Sequence, residues 1–288
     1  MGRARRGRVA LAVVTPPRPG LGDAYSAGAA AWETGPAAIY QRMAAPLVSA
    51  CPVPLAGATV LDFGAGTGAT SAALLAAGSR PVAADLSFEM LRVGAATRPP
   101  AVAGDVLALP FARGAFDIAL GAFVLSHLED PARGLAEVAR TVRPGGPVMA
   151  LGFSAGWDHP AKAIVDGVAA RFGFEWPAWY QAFKRDIEPL TSTPARLVAV
   201  AHDAELADVA VTVNVVDTGV STAPELLAWR LGMPACADFV AGLGEPERRA
   251  FIDAARDAIG DHLAPLAPEL LVLCGRVGDD GADRLGEP

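Results

Sequence analysis

The strongest constraint on the fold lies between residues 58 and 153, where five short apolar runs alternate with stretches of helical period. The runs are ATVLDFG, PVAADLS, AVAGDV, FDIALGAF and PVMALGF. Each is apolar on both faces and so needs cover from both sides, as strands of a parallel sheet between helices have. Parallel neighbours also need crossovers long enough to hold a helix, and the intervening residues supply them. This region predicts a doubly wound α/β sheet. Two later runs, VAVTVNVVDTG (209–219) and ELLVLCGRV (269–277), bring the expected sheet to seven strands, mostly parallel.

The remaining segments read as additions to that sheet. Residues 36–50 place Ile39, Met43 and Leu47 on one stripe of a helix. Residues 154–208 lose the alternation and form an expected helical cap insert, dense in aromatics at RFGFEWPAWYQAF. A second helical insert separates the last two strands within 209–277. Residues 21–153 are then lid helices plus core, with flexible tails at 1–20 and 278–288. In the first tail the apolar stretch Val9 to Val14 is shorter than a signal-peptide core and soon meets Pro16 and Pro17, so it reads as a basic tail.

Composition narrows the partners. The net charge is −7, and no basic block is long enough to follow a phosphate backbone, so nucleic acid is not an expected partner. No apolar run approaches 18 residues, which argues against a membrane span. Cys51, Cys236 and Cys274 are scattered without metal-ligand spacing, as structural thiols in a reducing cytoplasm would be. No His-x-His or carboxylate cluster suggests a metal. Nothing in the chain sets its oligomeric state.

The first strand ends in Val60-Leu61-Asp62-Phe63-Gly64-Ala65-Gly66-Thr67-Gly68, and an Ala/Leu-rich helix follows directly. Glycines let backbone N–H groups approach a ligand closely, and the helix presents its N-terminus at the same point. Gly64, Gly66 and Ala69 also satisfy the dinucleotide fingerprint, so this turn alone fits two kinds of nucleotide cofactor. Asp85 ends the second strand, 17 residues after Gly68, where a carboxylate can hold both ribose hydroxyls. Gly104-Asp105-Val106 follows the third strand, the fourth leads into Ala122-Phe123-Val124-Leu125-Ser126-His127, and Arg143-Pro144-Gly145-Gly146 opens the fifth.

With these ordered motifs, the block from Val60 to Phe153 resembles a class I S-adenosylmethionine-dependent methyltransferase of the bacterial small-molecule group. The resemblance implies a Rossmann-like methyltransferase fold with helical cap insertions, and S-adenosyl-L-methionine as cofactor. It implies that Asp62, Gly64, Ala65, Gly66 and Gly68 surround the methionine end. Asp85 would hold the ribose, with Leu86 and Met90 against the adenine, Asp105 and Val106 at the adenine edge, and Ala122 and Phe123 closing the pocket. His127 is the candidate base. Related sugar-type O-methyltransferases place the base one residue earlier, here Ser126, and pair it with an acid after the fifth strand, where this chain has Gly152. His159, His202 and His262 lie outside the block.

An in-line methyl transfer draws chiefly on proximity and orientation, and a base matters only for an acceptor that must lose a proton early. Acceptor contacts are expected from Tyr25, Trp32 and Tyr40 in the lid and from Trp176, Trp179 and Tyr180 in the cap. Trp176, Trp179, Tyr180 and Phe183 have the spacing of one helical face. Pro224 to Gly232, with Trp229, is a further candidate segment. The fourth strand lacks the Asp/Asn-Pro-Pro-Tyr motif of nucleic-acid amino methyltransferases. The expected acceptor is a small hydrophobic metabolite, such as a specialised natural product; the alternative is a methyltransferase-like protein that catalyses a non-methylating step such as a cyclisation.

Overall fold

The computed structural model describes residues 21–96 and 98–278, so the readings for 1–20 and 279–288 fall outside the described residues. Seven strands form one sheet: β1 (Thr59–Phe63), β2 (Arg80–Asp85), β3 (Ala101–Ala103), β4 (Ile118–Ala122), β5 (Pro147–Phe153), β6 (Leu206–Val215) and β7 (Glu269–Val277). Their order is β3-β2-β1-β4-β5-β7-β6. The first five run parallel, and β7 is antiparallel to both β5 and β6. The sheet is thus the doubly wound, mostly parallel one that the alternation predicts. Its order reverses between β1 and β4, and the crevice beyond the carboxyl ends of strands at such a switch point is where open α/β sheets bind ligands.

The helices are α1 (Leu21–Ala27), α2 (Ala29–Thr34), α3 (Pro36–Ser49), α4 (Ala69–Ala76), α5 (Phe88–Val93), α6 (Pro131–Thr141), α7 (Pro160–Arg171), α8 (Ala178–Ala182), α9 (Pro194–Asp203), α10 (Ala223–Leu231), α11 (Pro234–Gly242) and α12 (Glu245–Ile259). Their starts follow local chemistry. The Asp130 carboxylate accepts the Arg133 amide ahead of α6, and Thr222 and Glu225 form a reciprocal capping box on α10, each with proline in the first turn.

Alternate residues of β1 feed opposite faces of the sheet. Val60 packs with Met43 and Leu47 of α3 and Leu74 of α4, while Leu61 and Phe63 pack with Leu135 and Val138 of α6 and Val200 of α9. The predicted stripe Ile39, Met43 and Leu47 is the buried face of α3. A glycine contact ties this N-terminal segment to the far end of the chain. A Cβ on Gly35 would lie 2.2 Å from the Ala228 carbonyl oxygen, and one on Gly232 would lie 2.5 Å from Pro36 Cδ.

The cap departs from the single helical face that its aromatic spacing suggests. Trp176 precedes Pro177, which caps α8, and after Ala182 the chain widens into a π-turn over Phe183–Ile187. Trp176 nonetheless stacks on Tyr180, with centroids 4.6 Å apart and planes at 21°. Among the described residues no helix is long and apolar enough to cross a membrane.

Candidate active site

The glycine turn takes its shape from backbone geometry that side chains resist. Gly64, Gly66 and Gly68 have φ of 68°, 56° and 106°, in the left-handed region where a Cβ is disfavoured. The amides of Gly64 and Ala65 both donate to the Ala84 carbonyl, at 2.8 and 3.1 Å, so β1 turns over the end of β2. A Cβ on Gly64 would sit 2.5 Å from Val124 Cβ.

The Asp85 carboxylate locks the turn from the next strand. Its Oδ2 accepts the Gly66 amide at 2.8 Å and its Oδ1 the Ser87 amide at 2.8 Å. Burial raises its pKa, and those two amides oppose the rise. A carboxylate has about four lone-pair positions, so two backbone bonds leave room for a pair of hydroxyls. Asp105 is arranged similarly, with Oδ1 accepting the Leu107 amide at 2.9 Å. Gly66, where a Cβ would meet only Met90 Cε at 3.4 Å, and two part-satisfied carboxylates fit the ribose and adenine of S-adenosylmethionine.

These residues border a cavity of about 670 Å³, within the range of roughly 300–1,000 Å³ usual for ligand sites. Of the expected donor contacts, Gly64, Ala65, Gly66, Asp85, Leu86, Met90, Asp105, Val106, Ala122 and Phe123 line it. Asp62 and Gly68 stand behind the wall: Gly68 caps α4, and Asp62 is fully buried with Oδ2 accepting from the Ser71 hydroxyl. Asp62 Oδ1 has no partner, and burial pushes the carboxyl up to about 7.

All six expected acceptor residues, Tyr25, Trp32, Tyr40, Trp176, Trp179 and Tyr180, reach the same cavity. Ring contacts run Tyr25–Trp32 (5.6 Å), Trp32–Tyr40 (4.6 Å), Tyr40–Phe123 (4.8 Å), Phe123–Phe153 (4.9 Å) and Phe153–Trp157 (6.0 Å). Phe123 itself holds φ 62° with its amide donating to Leu151 O at 2.6 Å. Non-glycine residues keep such a conformation, at about 1–3 kcal/mol, where their surroundings impose it. Phe153, Trp157 and Ser87 also line the cavity and were not singled out by sequence, whereas Arg230 lines it from the candidate segment Pro224 to Gly232. Phe153 and Trp157 flank the end of β5, where an aromatic just after an apolar run was the available signal.

His127 follows β4 and lines the cavity. Its Nε2 is 3.1 Å from the Tyr25 hydroxyl, its ring lies against Phe183 at 5.1 Å, and Nδ1 is buried without a partner. Burial lowers its pKa to about 4, so the imidazole is neutral at physiological pH.

His127 and Asp62 give opposite pH dependences. The unfolded chain protonates His127 near 6.5 and the folded chain only near 4, so its contribution to stability falls as pH drops through that window. Asp62 is protonated up to about 7 when folded but only to 3.8 when unfolded, so its contribution falls as pH rises from 4 to 7. Urea melts across pH 4–8 are expected to lose the first slope in His127→Gln and the second in Asp62→Asn. Unchanged slopes would contradict the burial of these groups.

Comparison with known proteins agrees with this geometry. A family model described as "Methyltransferase domain" matches residues 61–150. A demethylmenaquinone methyltransferase of Corynebacterium kroppenstedtii is 45% identical over 101 residues, covering 35% of this chain and 44% of that protein. One from Mycolicibacterium vanbaalenii is 46% identical over 95 residues, 33% of this chain and 42% of the relative. The chain thus spans less than half the length of these curated relatives. Among solved structures, Haemonchus contortus phosphoethanolamine N-methyltransferase 2 aligns over 88% of this chain and 58% of its own, at 16% identity and a TM-score of 0.53, a likeness of fold. The sheet order, the glycine turn with its aspartates and the matched domain together show that this chain carries a class I S-adenosylmethionine-dependent methyltransferase domain.

Proposed function

We propose that the protein moves a methyl group from S-adenosylmethionine to a small, largely hydrophobic acceptor, in natural-product biosynthesis. The observation that carries this reading is a single cavity in which the glycine–aspartate cradle opens directly onto an aromatic box. S-adenosylmethionine supplies a carbon electrophile already activated by its sulfonium. Gly64 and Gly66 admit it to close backbone contact, Asp85 accepts from the ribose hydroxyls, and Asp105 accepts from the adenine amino group.

The rings of Trp32, Tyr40, Phe123 and Trp176 hold an apolar acceptor and keep water from the reacting atoms. Orientation of that kind accounts for about 7–11 kcal/mol of barrier lowering in well-aligned pairs. His127, neutral, is bonded at Nε2 to the Tyr25 hydroxyl, so the proton of a hydroxyl acceptor reaches it through that hydroxyl, Tyr25 passing its own proton to Nε2 as it takes the acceptor's. The imidazole's lowered basicity puts this near the lower end of the roughly 10²–10⁴-fold range of general bases.

The relatives' name gives no acceptor for this chain, because the family match ends at residue 150, before the cap and its aromatics. The test is transfer of label from methyl-labelled S-adenosylmethionine to hydroxylated polycyclic and quinol acceptors. Labelled product is expected, with kcat about 10²-fold lower in His127→Ala for a hydroxyl acceptor. A product formed without label would replace methyl transfer by a reaction such as cyclisation.

A further inference from the structure

The most unusual group on the cavity wall is a cation. Arg230 of α10 is only 7% exposed, yet it lines the cavity beside Trp176, Tyr180 and Trp229. Its Nε and Nη2 bond to Asp166 of α7 at 2.8–3.1 Å. Its guanidinium carbon lies 4.9 Å from the centroid of Trp176. Nη1 is not used by Asp166. Arg230 also acts on Tyr180, opposing the upward shift that burial gives its hydroxyl.

We propose, resting on the methyl-transfer reading, that the acceptor is a planar apolar molecule bearing a carboxylate, and that Arg230 receives that carboxylate beside the Tyr180 hydroxyl. Asp166 fixes the fork in place, and Trp176 and Tyr180 form the floor under the acceptor's body. A staple between α7 and α10 does not by itself explain a buried charge, because buried ion pairs are weak contributors to stability. The pair is also unevenly solvated. The Asp166 side chain is 29% exposed against 9% for Arg230 and does not line the cavity, so the guanidinium is the member of the pair that borders it. A guanidinium fork matches a carboxylate in geometry as well as charge.

Lys162, Lys184 and Arg196 also line the cavity; Lys162 pairs with Asp158 and Lys184 with Glu188, so Arg196, whose Nη1 donates to the Pro189 carbonyl, is the added cation without a carboxylate partner among the described residues. The chain as a whole carries −7. A local cation excess on an acidic protein draws an anionic ligand inward.

The test compares 6-hydroxy-2-naphthoate with its methyl ester, by titration calorimetry and tryptophan quenching, with S-adenosylhomocysteine saturating. The acid is expected to bind at least tenfold more tightly than the ester. That preference should shrink in Arg230→Lys and vanish in Arg230→Gln combined with Asp166→Asn, which leaves a neutral amide pair of similar volume instead of an orphaned carboxylate. Circular dichroism melts and S-adenosylhomocysteine affinity verify that the variants are folded. Failure of the acid to bind, equal binding of the ester, or an intact preference in the double variant overturns the proposal. Failure of wild-type protein to bind S-adenosylhomocysteine would sink the donor reading instead, and the acid–ester comparison without it would still decide the anion site.

Discussion

Replacing Asp85 with alanine is expected to raise the Kd for S-adenosylmethionine about 10- to 100-fold, since hydrogen bonds to a charged group are worth about 1.5–3 kcal/mol. One carboxylate organises two elements here. It takes the Gly66 amide of the turn and the Ser87 amide at the start of α5, 2.8 Å each. Alanine removes the acceptor of the ribose hydroxyls and also frees the turn. Asp85→Asn keeps the shape but gives up the charge and one acceptor oxygen, so an intermediate loss is expected. Calorimetry decides the matter, and unchanged affinity in Asp85→Ala would refute the ribose role.

Gly64→Ala is expected to be among the most damaging single-methyl additions to this chain. The residue's φ of 68° is disfavoured for alanine, and the new Cβ would stand 2.5 Å from Val124 Cβ, an atom with no freedom to swing away. Left-handed strain of about 1–2 kcal/mol and overpacking of about 1–3 kcal/mol together predict destabilisation of about 2–5 kcal/mol. Urea unfolding measures it. Adding Val124→Gly should recover the steric part and leave the strain. Wild-type stability in Gly64→Ala would mean that the turn does not have this conformation.

The strands and the turn were legible because their constraints are local. A strand covered on both faces is apolar at nearly every residue, so β1, β4 and β5 announce themselves, and a left-handed turn needs glycines in a row. Asp85 and Asp105 were legible by their spacing from that turn. The cap was less so, because Pro177 interrupts what the aromatic spacing presents as one helix, and a π-turn follows it. Arg230 lay inside the candidate segment Pro224 to Gly232, but nothing in the sequence distinguished it there. It belongs to an ordinary amphipathic stretch, and its partners Asp166 and Trp176 lie more than fifty residues upstream. Only the folded packing of α7 on α10 shows that this arginine is enclosed.

The glycine contact between Gly35 and Ala228 also bears on how the protein is made. The lid helices leave the ribosome well before the helix they close against, which follows them by nearly two hundred residues. Trp32 and Tyr40 therefore wait, without their final cover, while nearly two hundred residues are synthesised. The donor's cradle can form as soon as β1, β2 and β4 have paired, but the chamber above it is sealed only when α10 arrives. Competence to hold an acceptor is thus acquired only once α10 has been made, and a nascent chain stopped short of α10 would have a nucleotide site with no room built around it.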